Sequence, residues 1–353
     1  MDREAHEEDF RRFQAASRRF YEWASGARAL ALLGGALSSG VFDAARTPST
    51  VEEISTATGV DEERVADLCL ALEAHGVFER EGESYLLSER FGVLASPDAP
   101  QSLPNLLAKE RVLQRALEGT ASTGGSYTAL SSEDVLDMAV GTGMRPSSPI
   151  TRAFWGSAVV GTMPELHGIW EAGARHLEIG CGAANALLSV LATHPRLSAV
   201  GLEIDGGTAA EARRRAKELG VADRFELRHA DARELKEQVS FDTAQWSQQF
   251  FPAEGRQEVL ARAFRALKPG GYLYATMFGE APESVEELRE PAGRSYALDR
   301  LLYGSWGVPV RSAEELRLEL EAAGFEVVRT TPPPPFNPLM ASRGIVLARR
   351  ARE

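Results

Sequence analysis

Nine residues in the second half of the chain are spaced as a nucleoside site requires. Glu178, Gly180 and Gly182 lie in Glu178-Ile-Gly-Cys-Gly182, where an apolar strand start at 177–179 turns into a helix-like run over 183–193. A strand delivered through glycines into a helix start brings backbone N–H groups close to a ligand. Glu203 follows 25 residues after Glu178, at the end of the next apolar run. A carboxylate there can accept hydrogen bonds from both hydroxyls of a ribose. Asp231 and Ala232 end the run after that, where Asp231 can accept from an adenine amino group. Gln245, Trp246 and Ser247 close a fourth run, next along the same crevice. A dinucleotide fingerprint would need a third glycine where Asn185 stands, and no phosphate-loop pattern is present. A nucleoside-like ligand without phosphate fits better.

These residues need a sheet to hold them. From His176 onward the pattern alternates strand and helix: strands at 176–179, 197–204, 224–229, 241–246 and 272–277, and helices at 183–193, 208–219 and 254–267. Leu267-Lys-Pro-Gly-Gly271 is a proline–glycine turn, and Ser312 with Glu315 makes a capping box for a helix at 313–323. Two last strands, at 325–330 and 343–349, flank Pro332–Pro335. The fold class is α/β, with ligands beyond the carboxyl ends of the parallel strands.

The front of the chain reads differently. Helices are expected at 9–32, broken by Gly34-Gly35, and at 36–45. Ser49 is the expected cap of a helix at 51–58, and Asp61 that of a helix at 62–75. A hairpin over 77–87 turns at Gly82. Helix, helix, hairpin is a winged-helix order, but its second helix carries Asp61, Glu62, Glu63, Asp67 and Glu73 against Arg64. Phosphates would repel that helix, so packing and dimerisation fit it better than DNA binding. Helices at 106–117, 133–140, 150–163 and 164–170 follow, with loops over 119–126 (Tyr127 after it) and 141–149.

The chain has 353 residues, 44% of them hydrophobic, and a formal net charge of −12. The length suits two domains, and the acidic balance argues against binding to nucleic acid or to acidic membranes. Two cysteines far apart, Cys69 and Cys181, predict a reduced, cytoplasmic protein, and no Cys/His spacing announces structural zinc. The acidic N-terminus does not read as a targeting segment, and no apolar run reaches membrane-spanning length.

Glu178-Ile-Gly-Cys-Gly-Ala-Ala184, Glu203, Asp231, Phe241-Asp242 and Leu267–Gly271, in that order, resemble the motifs of class I S-adenosylmethionine-dependent methyltransferases. The front half resembles that of the two-domain small-molecule O-methyltransferases. The resemblance implies a Rossmann-like, mostly parallel sheet with an antiparallel last strand. It implies three segments: a helical winged-helix dimerisation domain over 1–105, a connector over 106–170 that contributes to the substrate pocket, and a cofactor domain over 171–353. It further implies S-adenosyl-L-methionine held by Glu178, Gly180, Gly182, Glu203, Asp231, Ala232 and Trp246. A homodimer and a small-molecule acceptor, in specialised metabolism, complete the expectation. Phe154, Trp155, Gln248, Gln249 and Trp306 are the candidate substrate contacts.

Three positions depart from the family pattern. Ala184 replaces a third glycine, Gln249 stands where a histidine base is common, and Met277 stands where an acid often orients that base. Glutamine orients a substrate but does not remove a proton near neutral pH. The acceptor is then already ionised or otherwise nucleophilic, or another residue, Tyr303 among the candidates, is the base. Alternatively, the fold catalyses a non-methylating cyclisation or rearrangement with the cofactor retained. A winged-helix regulator binding a nucleoside is the remote alternative. His176 and His229 read as structural, whereas His167 could face the pocket.

Overall fold

The computed structural model describes residues 3–120, 130–331 and 344–352. The loop residues 121–126, Tyr127, Pro332–Pro335 and the start of the last predicted strand at Arg343 lie outside the described residues. The chain divides into two compact units, Met1–Leu107 and Ala108–Glu353.

In the first unit, α1 runs Arg3–Ser38 and passes straight through Gly34-Gly35. Helical glycine costs only about 1 kcal/mol, and Leu33 and Ala36 on either side are buried. The chain turns instead at Gly40, whose φ of 81° is the left-handed conformation glycine adopts freely. α2 (Val41–Ala44), α3 (Val51–Thr58) and α4 (Glu62–Ala74) follow, then β2 (Phe78–Glu81), β3 (Ser84–Leu87) and α5 (Glu89–Ala95). The two-residue β1 (Ser49–Thr50) pairs with β3, giving a sheet ordered β1-β3-β2. Thr50, not Ser49, caps α3, in a reciprocal capping box with Glu53, while Asp61 caps α4 as expected. Phe42, Ile54, Val65, Cys69, Leu72 and Phe78 form the core.

α6 (Leu103–Thr120) crosses into the second unit, where α7 (Ser132–Thr142), α8 (Pro149–Thr162) and α9 (Pro164–Ala172) precede the sheet. The strands are β4 (Arg175–Ile179), β5 (Ser198–Glu203), β6 (Phe225–His229), β7 (Phe241–Trp246), β8 (Leu267–Thr276), β9 (Phe325–Thr331) and β10 (Ile345–Arg350). Between them run α10 (Asn185–Thr193), α11 (Gly206–Glu218), α12 (Arg256–Ala266), α13 (Val285–Arg289), α14 (Pro291–Ser305) and α15 (Ala313–Ala322). The sheet order is β6-β5-β4-β7-β8-β10-β9, with β6, β5, β4, β7 and β8 paired in parallel and β10 antiparallel to both its neighbours, β8 and β9. Strand order reverses between β4 and β7, the crevice where open α/β sheets bind ligands.

Alternate residues of each strand face opposite layers. Leu177, Ile179, Val200, Ala244 and Trp246 meet α12 and α15. Ala199 and Tyr274 meet α9, α10 and α11. The Leu267–Gly271 turn is absorbed into β8 as an irregularity: Phe241 pairs with Leu267, but Thr243 pairs with Tyr272. Ser312 and Glu315 form the expected capping box at α15.

Candidate active site

The end of β4 is shaped by backbone conformation. Gly180, Gly182 and Ala184 have φ of 73°, 56° and 56°. A Cβ on Gly180 would stand 2.9 Å from the Phe251 ring, so only glycine fits there. The positive φ at Ala184 delays the helix, which begins at Asn185 rather than at residue 183. Asn185 ties the turn to its surroundings. Its amide donates to the Ala139 carbonyl at 2.9 Å, and its oxygen accepts from Arg215. A Cβ on Gly143 would meet that amide at 2.6 Å, so α7 and the residue after it lie close against the turn.

Two acids face this turn from neighbouring strands. Glu203 Oε2 accepts from the Gly182 N–H at 2.8 Å, and Oε1 accepts from the Asp205 N–H at 2.8 Å. Each carboxylate oxygen retains accepting capacity for a ligand hydroxyl. Glu178 is 3% exposed, and its Oε2 is a buried atom without a hydrogen-bond partner. Burial first, and Glu203 second, push the Glu178 carboxyl up to about 8. Burial likewise raises Glu203 above the usual carboxylate range, against its two backbone donors. A buried acid with an orphaned oxygen is stabilised by an arriving cation. Asp231 ends β6, caps the short 3-10 turn Ala232–Glu234 and pairs with Arg233 at 2.6 Å; that pairing lowers its pKa. Ala232 is buried beside it.

The far end of the crevice is built on Arg256. Its guanidinium is 1% exposed and binds both oxygens of Glu319 at 2.7 Å, while lying 4.5 Å over the Trp246 ring. It donates to the Gln248 carbonyl at 2.8 Å, to the Phe251 carbonyl at 3.2 Å and to Gln248 Oε1 at 3.1 Å. Removing one partner from such a buried pair costs about 3–5 kcal/mol. This arrangement also fixes where Trp246 and Gln248 lie. Trp246 is fully buried in the layer facing α12, because its place in the strand alternation points it away from α10, so its side chain belongs to the core. Gln248 is held at both ends of its amide, by Arg256 and by the Thr276 carbonyl at 3.0 Å.

Gln249 is 3% exposed. Its Nε2 donates to the Thr276 carbonyl at 3.0 Å and to the Thr276 hydroxyl. Among the described residues its Oε1 has no partner and remains a free acceptor. Gln249 and Thr276 thus form a neutral hydrogen-bonded pair, with Met277 buried next in line. Beside it, Tyr303 packs edge to face with Phe278 at 5.0 Å, Trp306 at 5.4 Å and Phe250 at 6.3 Å, and Met138 of α7 joins this cluster. Tyr303 and Trp306 are thus brought together with the Gln249 segment, and α7 touches both the aromatic cluster and the glycine turn. Trp155 is placed elsewhere. It packs on the Trp170 layer, with Phe154 against it edge to face at 6.2 Å.

The histidines divide similarly. His176 bonds Thr243 at 2.8 Å and burial holds it down to about 3, so it is neutral and structural. His229 bonds the Ile204 carbonyl at 2.9 Å. His167 pairs with His194, not with Gln249. Arg256, Thr276, Asn185 and Phe251 carry the site's geometry, yet none stands out in the sequence in that role. Among them only Asn185, at the failed third glycine position, carries a local signal.

The sheet order and the glycine turn are those of the class I S-adenosylmethionine-dependent methyltransferase fold, which solved structures similar to this chain share. Residues 177–271 match the family described as Methyltransferase domain, so the second unit carries that domain. Human N-acetylserotonin methyltransferase aligns over 95% of this chain and 98% of its own, with a TM-score of 0.70 and 14% identity. The mitomycin 7-O-methyltransferase MmcR aligns over 97% and 100%, with a TM-score of 0.65 and 21% identity. In sequence, the trans-aconitate 2-methyltransferase of Methylobacterium nodulans is 33% identical over 183 residues, 49% of this chain. The matches span 19% and 65% of the lengths of two curated relatives. No helix among the described residues is long and apolar enough to cross a membrane.

Proposed function

We propose that this chain is an S-adenosylmethionine-dependent methyltransferase acting on a small acceptor that needs no proton removed by the enzyme, an ionised oxygen acid first among such acceptors. The carrying observation is the convergence of the glycine turn, the orphaned Glu178 oxygen and Glu203 at the ends of β4 and β5. These residues fit the cofactor. The glycines leave room for it, Glu203 would take the ribose hydroxyls, Asp231 the adenine amino group, and Glu178 a cationic group. Bound there, the cofactor supplies an electrophilic methyl group on a sulfonium. Gln249, fixed through Thr276, would present its free Oε1 to the acceptor, and the Tyr303 cluster would exclude water. Alignment of this kind suffices where the nucleophile is already charged.

Trans-aconitate, acted on by the relative from Methylobacterium nodulans, is a carboxylate of that class. Specialised metabolism is supported by the neighbours named for mitomycin, neocarzinostatin and calicheamicin biosynthesis. Two buried free cysteines fit a reducing compartment such as the cytoplasm. A homodimer is supported by Phe10, Phe13 and Phe20 on α1, each about 60% exposed, since exposed apolar clusters of this kind mark interaction faces. Sedimentation at twice the 38.3 kDa chain mass would bear this out, and a monomer would overturn it.

Calorimetry with S-adenosylmethionine and S-adenosylhomocysteine tests the central reading, which fails if neither binds. Product mass separates the second reading, favoured by the missing dyad. One added methylene unit supports transfer, whereas unchanged mass with intact cofactor supports rearrangement.

A further inference from the structure

Away from the glycine turn, three ligating side chains converge at the distal end of α10. His167 and Glu171 are four residues apart on α9 and share one face. His194 is the C-cap residue of α10 and is 2% exposed. His167 Nδ1 lies 3.3 Å from His194 Nε2, and Glu171 Oε1 lies 3.8 Å from that same nitrogen. One ligating atom from each residue falls within 4.8 Å of the others. Two imidazole nitrogens on one tetrahedral zinc, each bonded at about 2.0–2.1 Å, also stand about 3.3 Å apart.

A second observation concerns orientation. His194 Nδ1 lies 3.0 Å from the Val190 carbonyl, which can only accept, so this nitrogen carries the proton. The Nε2 lone pair is thereby turned toward His167 and Glu171, the arrangement by which backbone carbonyls fix metal-binding histidines. The Trp170 ring, edge to face at 5.3 Å, holds the imidazole plane. Glu171 is half-exposed, which leaves solvent access for a water ligand.

We propose that His167, Glu171 and His194 bind one divalent transition-metal ion of the zinc class, with water as fourth ligand, clipping α9 to the end of α10. Two imidazoles and a carboxylate suit such an ion rather than magnesium or calcium. α10 separates the clip from the glycine turn by nine residues, about 13 Å of helix, so the ion takes no part in methyl transfer.

The test titrates the full-length chain, freed of metal by chelation, with Zn2+ against a zinc indicator. The parent is expected to bind one ion per chain and to melt at higher temperature once loaded. His167→Ala and the surface change Glu171→Gln should each weaken binding by about tenfold or more. Co2+ should give the visible bands of a tetrahedral nitrogen–oxygen site. No stoichiometric binding, or binding unchanged in both variants, would overturn the proposal and leave a histidine–histidine hydrogen bond. Cofactor binding by the parent should be the same with and without Zn2+, so this result stands apart from the methyltransferase reading.

Discussion

The two ends of the crevice are built on opposite electrostatic plans. At the ends of β4 and β5, two buried acids crowd a turn of backbone N–H groups, and one acid has an oxygen with nothing to accept from. At the end of β7, the polar groups are neutral amides and a hydroxyl, tied to one another and to Arg256. The first end is poised for a ligand carrying positive charge and hydroxyls. The second presents a neutral amide, Gln249, fixed through Thr276. The contrast teaches that one crevice can pair an end whose buried charge suits a cationic ligand with an end held together by neutral hydrogen bonds.

The largest effect should come from the charged end. Glu203→Ala removes the acceptors proposed for both ribose hydroxyls and releases the Gly182 N–H. Hydrogen bonds to charged groups contribute about 1.5–3 kcal/mol each. The Kd for S-adenosylmethionine should therefore rise by about 100-fold or more, read by calorimetry. A loss below about threefold, against the tenfold per 1.4 kcal/mol of such bonds, would break the assignment of Glu203 to the ribose.

Glu178 sharpens the contrast through pH. Its carboxyl titrates near 8 in the folded chain against an ordinary 4.5. Below 4.5 both states hold the proton, and the group's contribution to stability is fully present. Between 4.5 and 8 the unfolded chain releases the proton and the folded chain keeps it, so that contribution is lost as pH rises through the folded value. Glu178→Gln should therefore raise the melting temperature of the ligand-free protein at pH 8 and leave it nearly unchanged at pH 4.5. Cationic cofactor reverses the preference by favouring the carboxylate. Its affinity for the parent should climb by up to about tenfold per pH unit below pH 8 and then level off, while the variant stays flat. A flat parent profile would separate Glu178 from the cofactor.

What could be read in advance follows the same division. Gly180, Gly182 and Glu203 were legible because turns and strand ends are local: a glycine at positive φ and an acid closing an apolar run sit next to their causes. The β-α alternation carried most of the sheet for the same reason. Arg256 was not legible, since its partners Gln248 and Glu319 lie 8 and 63 residues away. That the Trp246 side chain packs in the layer facing α12 was not legible, since which layer a strand residue faces is set by the sheet around it. Gly34-Gly35 suggested a break, but burial of the flanking Leu33 and Ala36 outweighs the helix propensity of glycine.

Gln249 is where the smallest effect carries the sharpest distinction. If its role is to hold an acceptor that arrives ionised, it contributes one neutral hydrogen bond, about 0.5–1.5 kcal/mol. Gln249→Ala should then lower kcat/KM by only about three- to tenfold, with the pH profile unmoved. Gln249→His should not restore a base-dependent limb, because the nucleophile has no proton to lose. Thr276→Val, which leaves Nε2 only the backbone carbonyl, should mimic the alanine variant in part by letting the amide turn. A drop of about 1000-fold in Gln249→Ala, of the size general-base removal produces, would contradict this reading. So would activity in Gln249→His that rises with pH through the histidine range. The first outcome would give Gln249 a share in catalysis far beyond one neutral hydrogen bond, the second would show that the acceptor has a proton to lose, and either would erase the contrast with the charged end.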